Sequence, residues 1–169
     1  MYNINEHFII PWTAGTGCSV ADLMDDNQGP VEMMISHSWA GSTTETLSSI
    51  QCLITMYFIP KEARIFFCSM CLYQPEDNHD SGLSIAQQLK LKPFSKIIEQ
   101  RPKYGMFVIH STISEVYERL WCVHEVDECM IAQIEIFGAF DPSSWNDKSL
   151  EGITSQIKTK EGQCREDDR

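Results

Sequence analysis

The sequence predicts an α/β domain with a central parallel sheet and helices on both faces. Three observations carry that prediction. Short apolar runs, bounded by turn residues, recur along the chain. Longer stretches with apolar residues at helical spacing separate them. At 169 residues and 43% hydrophobic composition, the chain is long enough for one domain with a real core.

The elements follow in order. Residues 1–30 carry several glycines and prolines and predict an irregular extension packed on the domain, with a short helix at 19–25. VEMMI (31–35) predicts a buried first strand, and SHSWAG a loop after it. STTE (42–45) then fits a capping box, with Ser42 as N-cap and Glu45 reaching back. Leu47, Ile50, Leu53, Ile54 and Tyr57 keep helical spacing until Pro60 stops the helix. ARIFFCSM (63–70) predicts the second strand, CLYQPEDNHDSGLS a loop, and residues 85–100 a helix broken near Pro93. YGMFVIHS (104–111) predicts the third strand, residues 113–132 the longest helix, and QIEIFGAF (133–140) the fourth strand. Residues 31–140 thus form the domain proper. The polar segment 141–169 holds a short strand near 152–157 and then a charged tail.

Charge and composition narrow the partners. The net charge is −11 and the basic residues form no run, which argues against duplex nucleic acid or an anionic membrane. No apolar run approaches the roughly 18 residues of a membrane span, and the amino end lacks the features of a signal peptide. A cytoplasmic protein is expected. Of the seven cysteines, Cys52, Cys68, Cys122 and Cys129 sit in apolar patterns and read as small hydrophobes. Cys68 and Cys71 make a lone C-x-x-C without the second ligand pair that zinc needs. Glu76, Asp77, His79 and Asp80 read as a solvated acidic loop, so neither a metal nor a required cofactor is expected.

Parallel α/β sheets bind ligands beyond the carboxyl ends of their strands. SHSW, CLYQPED and HSTISE all fall there. The helix carrying RLWCVHEVDE (119–128) adds acids beside aromatic surface. Helical spacing puts Tyr117, Trp121, His124 and Glu128 on one stripe, with Glu125 on its shoulder. Val116, Leu120, Val123 and Met130 form an apolar side to face the sheet, and Asp127 falls within it. Arg119 and Glu115 pair on the outside. A carboxylate beside an aromatic is raised in pKa and suited to proton transfer or to holding a cation. Spacing alone does not choose among Glu125, Asp127 and Glu128. SHSW offers two hydroxyls and a histidine for a phosphate or a ribose, beside a helix start that favours an anion. No nucleophile elbow, dinucleotide glycine fingerprint or P-loop is present.

Together, VEMMISHSWAG, FCSMCLYQPEDN, YGMFVIHS and the WC-x-x-E in RLWCVHE resemble the TIR (Toll/interleukin-1 receptor) domain superfamily, and most nearly its protist TIR-like domains. The resemblance spans roughly residues 8–140. It implies a flavodoxin-like three-layer fold with a parallel sheet of about five strands. It also implies cleavage of the nicotinamide–ribose bond of NAD, by hydrolysis or cyclisation, in signalling or defence. NAD is then substrate rather than cofactor, and self-association or other TIR-like domains are the implied partners. The glutamate of WC-x-x-E, Glu125, is the implied catalytic residue. Trp121 packs on ribose or nicotinamide. Ser36, His37, Ser38 and Trp39 line the opposite wall, and Tyr73 and Gln74 complete the substrate-binding set. Two other readings carry over: a non-catalytic module acting by self-association, and a nucleoside-handling enzyme of the same fold, such as a deoxyribosyl transferase.

Overall fold

A computed structural model describes residues 1–24, 29–75 and 81–145. The strand expected at 152–157, the tail after it, and the loop residues Glu76, Asp77, His79 and Asp80 lie outside these ranges.

Four strands, β1 (Met33–His37), β2 (Ile65–Phe67), β3 (Met106–Ile109) and β4 (Ile136–Ala139), form one sheet in the order β2-β1-β3-β4. Every pairing is parallel. This is the order in which flavodoxin-like sheets begin, and the direction of winding reverses between β1 and β3. About five strands were expected, and the described residues hold four.

Side-chain alternation along the strands builds two cores. Met34, Phe66, Met106 and Val108 point to one face, and Met33, Ile35, Phe107 and Ile109 to the other. The second face is covered by α1 (Thr43–Met56) through Ile50, Leu53 and Ile54. On the first face the chain makes a single turn, α2 (Cys68–Cys71), then α3 (Ile85–Lys90), α4 (Pro93–Glu99) and α5 (Leu120–Ile131). There Ile98 of α4 and Cys122 and Cys129 of α5 enter the core. The predicted helices on both faces are thus present. Among the described residues, no helix is long and apolar enough to cross a membrane.

Several boundaries differ from the sequence reading. Strand β1 runs two residues beyond VEMMI, because Ser36 and His37 stay in register with Val108 and Ile109. The predicted loop therefore starts at Ser38. Ser42 does cap α1, accepting from the Glu45 amide at 3.3 Å, but the Glu45 side chain does not reach back. It turns to Thr112 instead. The helix also stops before Pro60. Ile59 donates to the Ile54 carbonyl, Phe58 donates to Thr55, and Phe58 adopts φ +50°, which is a Schellman ending without glycine.

The break near Pro93 is as predicted: Lys92 is left-handed and Pro93 opens α4. The helix expected over 113–132 begins only at Leu120, after a 3-10 turn at Val116–Glu118. The helix expected at 19–25 is a 3-10 turn at Ala21–Leu23.

The largest correction is at the start of the chain. Residues 2–13 are helical rather than irregular, α-helical at Tyr2–Ile4 and Ile10–Thr13 with a π turn, Asn5–Ile9, between. Pro11 has no N–H to donate, and its ring crowds the carbonyl four residues earlier. The widened π turn accommodates it. Ile9 and Thr13 are fully buried, and the π turn packs against α2.

Candidate functional site

The carboxyl edge of β1 and β2 forms one wall of a cavity. Strand β1 brings His37 to its end, and the chain then turns tightly, the Gly41 amide donating to the Ser38 carbonyl at 3.0 Å. A side chain at Gly41 would meet that carbonyl at 3.0 Å and Ser111 at 3.2 Å, so the turn crowds one. The turn presents Trp39, whose indole N–H donates to the Cys68 thiol at 3.3 Å. Helix α5 supplies the facing wall with Trp121, Cys122 and Glu125. Phe94 of α4 lies 6.0 Å from the Trp121 ring. The N-terminal helix closes a further side with Tyr2 and Asn5, Tyr2 packing edge-on against Trp39 at 5.5 Å.

The enclosed volume is about 260 Å³. That is just below the about 300–1,000 Å³ of pockets that take a whole drug-sized ligand. It suits one end of a larger molecule.

Glu125 is buried at 6% exposure, and its Oε2 has no hydrogen-bond partner. Burial pushes its carboxyl up to about 7. The Ser36 hydroxyl beside it works in the opposite direction but falls short of ordinary hydrogen-bond geometry, and the Glu128 charge adds to the rise. At neutral pH the group is therefore poised between its two forms.

His37 is equally buried and stacks on Phe67 with ring centres 4.3 Å apart. Burial lowers its pKa to about 3, so it is neutral. Neither of its ring nitrogens has a partner. Burial pushes the Cys68 thiol up to about 12 and raises that of Cys122 as well, so neither is a nucleophile at neutral pH.

Buried polar atoms are nearly always paired. Among the described residues seven such side-chain atoms are not, and four of them belong to residues lining this cavity: Asn5 Oδ1, both nitrogens of His37, and Glu125 Oε2. They are concentrated in three residues that line the cavity. No group of three His, Cys, Asp or Glu residues is arranged to hold a metal ion among the described residues.

The structure brings Glu125, Trp121, His37, Trp39 and Gln74 into the cavity wall. Ser36, Ser38 and Tyr73 are buried but do not line it. Ser36 stands behind Glu125, Ser38 pairs with Ser114 at 2.8 Å, and the Tyr73 backbone is held by the Gln88 amide. The Gln74 side-chain amide donates to the Leu72 carbonyl, which fixes it in the wall.

The predicted apolar side holds at Val116, which is fully buried in the core, and is corrected within α5. Cys122, Glu125 and Cys129 are its buried residues, with Val126 packed on the core, at the spacing i, i+3, i+4 and i+7. Leu120 and Met130 are 43% and 65% exposed, and Asp127 escapes to solvent. Two thiols are buried here ahead of two larger aliphatics, Cys122 Sγ–H donating to the His37 carbonyl at 3.5 Å. Glu115 does not pair with Arg119 but with His110, at 3.1 Å. Burial alone would raise the Glu115 carboxyl; the His110 bond and charge, with the amides of Tyr117 and Val116, bring it below its ordinary value.

Reading the sequence alone missed Tyr2, Asn5, Cys68 and Arg119 as cavity residues. Cys68 follows a strand end and was legible by the same rule that selected Tyr73. Nothing local in the irregular-looking amino end signals that it folds over the site. Comparison of the chain with protein-family models, curated proteins and solved structures finds no match.

Proposed function

We propose that this protein is a TIR-like nucleosidase that cleaves the nicotinamide–ribose bond of NAD, with Glu125 as its catalytic carboxylate. The observation that carries the reading is Glu125 itself: buried, with its Oε2 left without a partner, raised to about 7, and lining an aromatic cavity. When the C1′–N bond breaks, its electron pair passes to the pyridinium ring and nicotinamide leaves neutral. The ribosyl residue left behind is oxocarbenium-like. A fixed carboxylate in a dry site stabilises that cation far more than it stabilises the ground state. Water, or a nucleophile of the same dinucleotide in cyclisation, then adds to C1′ and gives up a proton. A carboxylate titrating near 7 is suited to accept it.

The aromatic surface fits the leaving base. Trp121 and Phe94 on one side and Trp39 on the other offer flat apolar walls, and about 260 Å³ accommodates the reacting end of a dinucleotide. Arg119, in the same lining, supplies a cation for the phosphates that extend outward. An interaction module needs neither an open cavity nor an orphaned carboxylate, and their presence together supports the enzymatic reading.

The test is incubation of concentrated purified protein with NAD. Release of nicotinamide by the wild type and its absence with Glu125→Ala is the expected result. No release at any protein concentration rejects the reading. A screen of nucleosides for base release separates it from a deoxyribosyl transferase.

A further inference from the structure

We infer that Asn5 and His37 read the carboxamide of the departing base, and that the site selects an amide over the corresponding acid. The inference rests on the nucleosidase reading of the cavity. It starts from the kind of atom left unpaired there. Asn5 Oδ1 accepts hydrogen bonds and cannot donate them, and Glu125 Oε2 only accepts in its ionised form. His37, being neutral, offers one acceptor and one donor. The cavity therefore asks for N–H or O–H groups together with an acceptor. A primary carboxamide supplies two N–H bonds and a carbonyl. A carboxylate supplies no donor at all and brings a negative charge toward Glu125.

Both readers are held in place. The His37 ring lies parallel to Phe67, tilted by only 11°, so its nitrogens are fixed in direction. Asn5 opens the π turn, a distortion often found at functional sites. That turn is anchored at its far end by fully buried Ile9, and Thr13, whose hydroxyl returns to the Ile9 carbonyl at 2.9 Å. The segment that looked irregular in sequence thus delivers a specificity residue into the site. Arg119, the cation of the lining, enters from the start of α5, where its charge reaches Cys122.

The experiment uses the full chain and two pairs of probes: nicotinamide against nicotinic acid for binding by ligand-observed NMR, and NAD against nicotinic acid adenine dinucleotide for turnover. In the wild type the amide member is preferred by about tenfold or more in each pair, the effect of one hydrogen bond gained and one unpaired acceptor avoided. Asn5→Leu keeps the branched outline and removes the acceptor, and His37→Phe keeps the stack and removes both nitrogens. Each brings the ratio toward parity. Simple structural damage weakens both members together and leaves the ratio unchanged. Equal handling of amide and acid by the wild type, or an unchanged ratio in both variants, overturns the inference. Amide preference in binding without NAD turnover overturns only the nucleosidase reading. Turnover without amide preference overturns only this inference. Neither binding nor turnover overturns both.

Discussion

Glu45 and Glu125 stand at the same edge of the sheet, both under one-tenth exposed, and they are held in opposite ways. Glu45, on α1, accepts from the backbone N–H of Thr112 at 2.7 Å and also from its hydroxyl. It ties the helix to the loop after β3. Glu125, on α5, leaves Oε2 unpaired against a cavity. Burial is common to both and distinguishes nothing. What differs is satisfaction: one carboxylate is part of the fold's bonding, and the other is left open for something outside it.

The two carboxylates differ most in activity. Glu125→Gln keeps the shape and removes the charge, and nicotinamide release is expected to fall about 100- to 1,000-fold, the scale of losing one preorganised electrostatic group. Glu45→Ala leaves the activity per folded molecule intact.

Stability against pH sharpens it next. The folded-state value of Glu125, about 7, lies above its ordinary 4.5. Between those values the folded protein binds more protons than the unfolded chain, so stability falls as pH rises through that window. Relative to Glu125→Gln, the wild type should lose about 3 kcal/mol from pH 4.5 to 7 and then level off. His37, lowered from 6.5 to about 3, gives the opposite slope, stability rising with pH between those values. Both proteins carry His37, so urea titrations of the pair at several pH values isolate the Glu125 contribution.

Glu45→Ala is the third case. It strands the Thr112 amide and hydroxyl, and a loss of about 2 kcal/mol is expected. Urea unfolding at neutral pH measures it. The smallest effect belongs to Glu128, which accepts from Ser95 at 2.8 Å and pairs with the exposed His124 at 3.3 Å. Glu128→Gln should change stability by about 0.5 kcal/mol and lower the Glu125 titration slightly, since the Glu128 charge helps to raise it. Carboxylate-resolved NMR reads that shift.

The same contrast explains what the sequence could and could not convey. The strands were legible because short continuous apolar runs such as MFVI, bounded by turn residues, read as buried strands, and their parallel direction because helical stretches separate them. The C-terminal edge was legible as the place for a site, because that follows from parallel winding alone. The inward turn of Glu125 was not. A period of 3.6 placed it on the shoulder of the stripe, and only the depth of the Cys122 and Cys129 contacts rotates it to the sheet. Glu45 looked like half of a capping box, and its true partner sits 67 residues away. Asn5 was hidden for a related reason: a proline and a π turn break the local helical pattern, and the packing that restores it is tertiary.

The measurement that bears most directly on Glu125 is the pH profile of nicotinamide release under kcat/KM conditions, for wild type and Glu125→Gln together. The wild-type rate should climb about tenfold per pH unit below 7 and flatten above it, as the raised carboxyl ionises, while the variant stays near background throughout. A wild-type rate without that step, or a variant that matches the wild type, would contradict the assignment of the chemistry to Glu125.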